Sequence, residues 1–242
     1  MQRCSAGIKE KNEGVLENMR DYVFIPYAFS FFFFFFILIF SLFFLFMFGI
    51  PLAFYKLGIP PFIAYLLLFL SLIGSAVNIP IREMEGKEIE YAEISFWGIR
   101  YRIPYVRKTV IAINFGGAVI PIAISSYEIL RVASAGNVSL LMKIFLAVFI
   151  SSIIFHFFAK PVKGIGVAMP ALIPPIISAI LGISLGDNPA IIAYISGTIG
   201  TLIGADLLNL HKIKGFGGVA SIGGAGTFDG IFLSGIIAVL LV

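Results

Sequence analysis

Two aspartates, Asp206 and Asp229, stand in otherwise apolar segments, and their carboxyl groups are the strongest candidates for chemistry in this sequence. Asp206 lies in the stretch GTLIGADLLNLHK, and Asp229 is the sole charged residue from Val219 to Val242. A charged side chain at the centre of a bilayer costs about 3 kcal/mol on insertion scales, so such residues usually face a protein interior and mark a functional site. The two positions therefore predict a membrane-embedded site.

The chemistry available to this pair depends on whether Asp206 and Asp229 meet. Like charges in a low-dielectric site do not both ionise, so two adjacent carboxyl groups share one proton. In an aspartic dyad, the carboxylate activates water and the acid protonates a carbonyl oxygen. The same arrangement serves a proton relay. A structural alternative also stays open, in which each Asp only accepts hydrogen bonds from groups such as Asn209, Thr227 or Ser221.

Small and polar residues near the two aspartates would support such a site. Glycines let two backbones approach closely, or let a helix begin deeper than its loop. Amide and hydroxyl side chains at the same predicted depth could line one wet cavity. The supporting residues predicted from the sequence are Gly204, Gly223, Gly224, Gly226, Thr227, Asn78, Asn114 and Asn209.

The composition indicates which elements must position these residues. The chain has 242 residues, of which 60% are hydrophobic and 12% charged. A soluble domain of this size could not bury so much apolar surface. Long uncharged runs recur, and in lipid a helix satisfies its own backbone hydrogen bonds. The fold class predicted is therefore an all-α membrane protein.

Other classes of site are disfavoured by the same composition. One cysteine, Cys4, allows no internal disulfide and no thiolate metal cluster. His156 and His211 are far apart and show no metal-ligand spacing. No metal and no cofactor is predicted. The predicted partners are the lipid bilayer and a transmembrane peptide or small solute, because the basic residues are better explained by topology than by nucleic acid.

Seven spans are predicted, after a polar cytoplasmic tail of residues 1–22 and within a single transmembrane domain of residues 23–242. Fourteen of the 17 Lys and Arg residues fall on one side of this arrangement, including the loop 82–108. The positive-inside rule then places the N-terminus and that loop in the cytoplasm and the C-terminus outside, in a multi-pass plasma-membrane protein. The predicted spans are residues 25–50, 60–81, 109–126, 140–158, 165–184, 189–209 and 219–241.

The loop 82–108 is the one sizeable polar segment between spans. Its stretch EIEYAEISFWGIRYRIPY alternates apolar and polar residues, and period two favours strands, with Trp97 and Gly98 at the turn of a hairpin. One interpretation is a small cytoplasmic β-hairpin or flap that lies on the lipid headgroups. The other is an edge strand that pairs with an extended peptide.

An internal repeat is also predicted, in a 3+1+3 arrangement of spans. LGIPPFIAYLLLFLSLIGSAVN (Leu57–Asn78) resembles LGDNPAIIAYISGTIGTLIGADLLN (Leu185–Asn209), and FGGAVIPIAIS (Phe115–Ser125) resembles IGGAGTFDGIFLS (Ile222–Ser234). Spans 1–3 and 5–7 would then be two copies in the same orientation. Such copies are related by a pseudo-two-fold axis along the membrane normal, which is one of the repeat types of transporters.

The closing pattern IGADLLNL…GGAGTFDGIFLSGIIAVLL resembles a family of archaeal and bacterial membrane proteins known as a domain of unknown function. That resemblance covers most of the chain and implies no activity.

A partial resemblance to intramembrane aspartyl proteases depends on both aspartates. Those enzymes carry one Asp on each of two neighbouring helices, the second in a Gly-x-Gly-Asp motif, and some have a later Pro-Ala-Leu element. Here GAGTFD places two extra residues before Asp229, Asp206 follows Ala205 where that family often has tyrosine, and PAL at Pro170–Leu172 precedes both aspartates. The resemblance implies Asp206 and Asp229 as catalytic residues.

Three functions remain open from the sequence. The leading prediction is an intramembrane aspartyl protease-like enzyme that uses Asp206 and Asp229. The second is a proton- or cation-coupled transporter built from the parallel three-helix repeat, and the third is a non-catalytic membrane scaffold. Aspartates inside spans occur in the second copy alone, whereas a symmetric transport site would draw on both copies.

Overall fold

The computed structural model describes residues 24–96, 99–162, 166–224 and 230–242. The predictions for residues 1–22, Trp97, Gly98, Gly226, Thr227 and Asp229 concern positions outside these described residues. The chain divides into a first unit that ends at Gly49 and a second unit, Ile50–Val242.

The first unit is built on helix α1, Phe24–Phe44, which continues into a π-helical turn at Leu45–Gly49. The phenylalanine side chains of the run from Phe31 are exposed. They pack mostly on one another along the helix, with ring centroids 4.8 Å apart for Phe40 and Phe44. Exposed apolar bulk of this kind is what a helix presents to lipid.

The second unit is mostly helical. Asparagine caps begin two of its helices: the side chain of Asn137 accepts a hydrogen bond from the Leu140 amide, and that of Asn188 from the Ile191 amide. Such a cap contributes about 1 kcal/mol. The helices are α2 (Ile50–Lys56), α3 (Pro61–Gly74), α4 (Ile120–Ser134), α5 (Val138–Phe158), α6 (Ile173–Leu185), α7 (Pro189–Thr201) and α8 (Gly230–Leu241).

Four helical stretches among the described residues are long and apolar enough to cross a membrane: Ser30–Lys56, Phe115–Ser134, Val138–Phe158 and Pro189–Ile213. Three further apolar helices, α3, α6 and α8, are shorter, with 14, 13 and 12 residues. A helix rises about 1.5 Å per residue, so these three reach roughly 20 Å, less than a bilayer's hydrocarbon core. The helices fit a membrane protein, and seven full spans stay a prediction.

A long hairpin lies where the sequence indicated strands. Strand β1 is Asn78–Phe96 and strand β2 is Ile99–Asn114, paired antiparallel from Asn78 opposite Asn114 to Phe96 opposite Ile99. The hairpin therefore extends beyond the predicted loop 82–108 at both ends. The predicted spans 60–81 and 109–126 were wrong there, because a short continuous apolar run does not distinguish a buried strand from a helix.

Predicted span 5 was also wrong at its start. Residues of that region form a second, short hairpin of β3 (Lys160–Val162) and β4 (Gly166–Ala168). Helix α6 begins only at Ile173, with Pro174 and Pro175 in its first turn. Proline is accepted there because the first amides of a helix have no intrahelical partner.

Predicted span 7 begins as a strand as well. Strand β5, Val219–Ile222, pairs in parallel with residues Val110–Ile113 of β2, and the sheet order is β1-β2-β5. Its apolar side chains pack in a core cluster with helix residues. This cluster, which fixes the sheet against the helices, contains Ile111, Ala118, Ile213, Ala220, Ile222 and Ile231.

Candidate functional site

Asp206 is the last residue of a π-helical turn within the helical stretch Pro189–Ile213. Helix α7 passes into a π-helical turn at Leu202–Asp206 and then into a 3₁₀ turn at Leu207–Ile213, four residues beyond the predicted end of span 6. Such π turns insert a residue into a helix and often occur at functional sites. The half-buried side chain of Asp206 is thereby presented at a break in the regular helix.

Asn209 holds this break in place. Its buried side-chain Nδ2 donates to the carbonyl oxygens of Gly204 and Ala205, at 3.1 Å and 2.9 Å. These carbonyls belong to the π-helical turn itself, so the Asn209 amide hydrogen-bonds backbone oxygens directly before Asp206. Gly204 also allows the neighbouring helix α5 to approach, since a Cβ there would lie 2.3 Å from the Ser152 carbonyl oxygen.

Two basic residues surround the same amide. Nδ2 of Asn209 lies 3.2 Å from Nδ1 of His156, and its Oδ1 accepts a hydrogen bond of 2.7 Å from Lys212. His156 was not among the predicted site residues. It is 53 positions before Asn209 on α5, and the sequence carries no signal that joins the two.

A small cavity of about 20 Å³ lies beside Asp206. Strand β5 forms one wall with Ala220, Ser221 and Ile222, and β4 contributes Gly166 and Val167. The chain leaves β5 at Ile222 and reaches α8 at Gly230. The segment between them contains Asp229, so the described structure gives no distance between the two aspartates.

The predicted polar residues Asn78 and Asn114 join the three strands. The Nδ2 of Asn114 donates to Asn78 Oδ1 at 3.1 Å and to the Ser75 carbonyl at 2.6 Å, and Ser221 donates to Asn78 Oδ1 at 2.6 Å. Asn114 is fully buried and does not line the cavity at Asp206. Asn78 reaches that cavity indirectly, through its hydrogen bond with Ser221.

Two Gly-Gly-Ala motifs, one at Gly116–Ala118 and one that starts at Gly223, approach each other at the ends of the parallel strands β2 and β5. A Cβ at Gly117 would lie 2.0 Å from the carbonyl oxygen of Gly223, and a Cβ at Gly223 would lie 2.5 Å from Ala118 Cβ. Gly223 and Gly224 have positive φ angles of 84° and 90°. Positions 117 and 223 thus need glycine because the two backbones pack closely there. Positions 223 and 224 also favour glycine because their positive φ angles are strained for a residue with a Cβ.

A second acidic residue is buried in the helices. Glu128 on α4 is fully buried and pairs with Arg131 at 2.6 Å, and Arg131 donates to the Leu57 carbonyl at 2.8 Å. The sequence places Glu128 three residues before Arg131, which predicts an exposed surface pair, and this prediction was wrong because Glu128 is fully buried. Its polar partner lies one helical turn away, and the sequence alone does not reveal which face of α4 is covered by other helices.

Hydroxyl groups lie in the same buried region. Ser125 precedes Glu128 on α4 by three residues, and its hydroxyl has no hydrogen-bond partner within the described part of the chain. The Tyr194 hydroxyl of α7 lies close enough to Glu128 for an electrostatic interaction. The buried hydroxyls of Tyr194 and Thr198 find no described partner outside their own helix. Buried polar groups in this state are costly unless water or another ligand satisfies them.

The comparisons with known proteins give one result. Residues 72–241 match the family described as "Protein of unknown function (DUF1614)". No curated protein and no solved structure matches the chain.

Proposed function

Because this chain belongs to the DUF1614 family, whose description assigns no activity, we propose a function from the site itself: hydrolysis of peptide bonds within the membrane by a pair formed by Asp206 and Asp229. One carboxylate activates water, and the other carboxyl group protonates the carbonyl oxygen of the substrate. The substrate is a transmembrane peptide, because α7, which precedes Asp206, and α8, which begins directly after Asp229, are both apolar.

The packing of α7 on α8 carries this proposal. Thr201 Oγ1 lies 3.3 Å from Ser234 Oγ, and Ser234 donates to the Gly197 carbonyl at 2.8 Å. Asp206 is five residues after Thr201, and Asp229 is five residues before Ser234. The equal offsets support a meeting of the two carboxyl groups, provided that the helices run in opposite directions.

The close contacts support that direction. Tyr194 and Thr198 of α7 approach Gly235, where a Cβ would lie 3.0 Å and 2.3 Å from their side chains, whereas Thr201 contacts Ser234. Residues later in α7 thus contact a residue earlier in α8, as expected for antiparallel helices. We expect carboxyl groups at positions 206 and 229 within about 6 Å of each other, the range over which charges interact strongly.

The surroundings of Asp206 support a hydrolytic site. The small cavity beside it has a hydroxyl, that of Ser221, and has room for about one water molecule. Asn209 engages the carbonyls of the π-helical turn, which supports a fixed position for the aspartate. Positioned groups of this kind lower the entropic part of a reaction barrier.

Cross-linking tests the pairing itself. In a chain with Cys4 replaced by serine, we expect the D206C/D229C double variant to form an internal bridge with a short bifunctional thiol reagent, because the proposed pair requires the two positions to face each other. The gel mobility and mass of the membrane-reconstituted protein report the bridge.

A matched control uses the far end of the same helix. The D206C/L241C variant places the second thiol at an exposed position eleven residues after Gly230. It should not bridge. Equal bridging in both variants, or none in D206C/D229C when both thiols react with a monofunctional reagent, would contradict the pairing and with it the peptidase.

Glu128 and its hydroxyl neighbours favour a second candidate, a proton-coupled transporter. Tyr194, Thr198 and Thr201 are spaced four and three residues apart, so they share one face of α7. This face leads from the region of Glu128 toward Asp206. The contact between the Gly-Gly-Ala motifs of the two proposed copies supports the repeat, and the buried acid Glu128 lies just after the first copy.

For the transporter we expect Glu128→Gln to abolish proton flux driven by a pH gradient across liposomes, because glutamine cannot bind and release the proton. A pH-sensitive dye inside the vesicles measures the flux. Tyr127→Phe, a change at the adjacent but exposed position, should leave it intact. Wild-type vesicles without flux above protein-free vesicles would exclude this candidate.

A further inference from the structure

A cleft of about 580 Å³ separates the hairpin from the end of the α7 helical stretch. Strands β1 and β2 form one side, and the 3₁₀ turn Leu207–Ile213 forms the other. Its volume is within the range of small-ligand sites. Its apolar lining includes Ile111, Ile113, Ile222, Leu207 and Leu210.

Basic and acidic side chains both line this cleft. Arg82, His211 and Lys214 line it, and all three are exposed. None of them forms an ion pair with a described residue. Two acids, Glu83 and Glu85, line it as well.

Those two acids are already engaged. The Lys108 ammonium lies 3.0 Å from a carboxylate oxygen of Glu85 and 3.9 Å from one of Glu83. Lys108, which does not line the cleft, therefore offsets part of their negative charge, whereas Arg82 and Lys214 have no ion-pair partner among the described residues. An anion in the cleft would complement these two cations.

The position of the cleft limits the kind of anion. The apolar stretch Pro189–Ile213 is long enough to cross a membrane, and Lys214 directly follows it. Basic residues at such a position meet the headgroup region of a bilayer, where they attract anionic lipids. A lipid can also use the apolar lining, which a soluble anion cannot.

We propose that this cleft binds the headgroup of an anionic phospholipid, with the phosphate at Arg82 and Lys214 and the apolar part of the lipid against Leu207 and Ile222. The cleft shares Leu210 and Ile222 with the small cavity beside Asp206, so the bound lipid is a neighbour of that cavity. The proposal does not depend on peptide hydrolysis.

Lipid binding can be measured directly on the purified full-length protein. Native mass spectrometry in a neutral detergent, titrated with phosphatidylglycerol, should show a bound lipid that phosphatidylcholine of the same acyl chains does not replace. We expect the R82Q/K214Q variant to weaken phosphatidylglycerol binding about tenfold or more, since each basic contact with an anionic lipid contributes appreciably.

Lys160→Gln is the matched control, because Lys160 is exposed and lies outside the cleft. It should bind phosphatidylglycerol like the wild type, and all variants should share the wild-type thermal midpoint. Unchanged binding by R82Q/K214Q, equal binding of phosphatidylcholine, or displacement of the lipid by millimolar inorganic phosphate would overturn the proposal. The last result would identify a site for free anions.

Discussion

Alanine at either Asp206 or Asp229 is expected to abolish cleavage of transmembrane peptides by the protein reconstituted in liposomes. A dyad needs one carboxylate as base and one carboxylic acid as proton donor, so neither residue can act alone. A positioned general acid or base raises the rate by about 10² to 10⁴. When two groups act as a unit, removal of either one costs nearly as much rate as removal of both. Asparagine should restore nothing at either position, since its amide does not titrate.

The measurement is the release of product from a panel of labelled transmembrane peptides, followed by mass spectrometry to locate the cut. Asp187→Asn is the matched control: Asp187 is partly exposed and pairs with Lys143 at 2.5 Å. This variant should cleave at the wild-type rate. Retained cleavage by either dyad variant would contradict the proposed mechanism, and proton flux without cleavage would favour the transporter.

A methyl group at Gly223 is expected to destabilise the fold strongly. The Cβ would lie 2.5 Å from Ala118 Cβ and 2.7 Å from the Ala118 amide nitrogen, closer than real Cβ contacts come. The parallel strands β2 and β5 would have to separate where they end. Overpacking costs about 1–3 kcal/mol, and the positive φ adds about 1–2 kcal/mol for a residue with a Cβ. We therefore expect Gly223→Ala to lose about 3 kcal/mol of stability.

Gly218→Ala separates these two contributions. Gly218 also has a positive φ, 71°, but a Cβ there meets nothing within 4 Å. Gly218→Ala should therefore lose only the part of the stability that comes from the positive φ, about 1–2 kcal/mol. Thermal unfolding in detergent, followed by size-exclusion chromatography of the folded fraction, compares the two variants. Equal thermal midpoints for Gly223→Ala and Gly218→Ala would contradict the steric contact.

Several features follow from the sequence alone because their signals are local. Long apolar runs indicate membrane helices, since each helix satisfies its own backbone hydrogen bonds. The alternation around Trp97 and Gly98 indicates a hairpin, and the register from Asn78 opposite Asn114 to Phe96 opposite Ile99 agrees with it. Asp206 and Asp229 stand out by hydropathy, although their roles stay a proposal.

Other features were decided only by tertiary structure. The runs 109–114 and 219–222 read as parts of helices, yet they are paired strands. Glu128 reads as a surface acid, yet the helices around α4 bury it completely. His156 meets Asn209 across 53 positions. In each case the contact that decides the structure is made by a residue far away along the chain. Periodicity within a short window of sequence does not show which distant strand or helix will pack there.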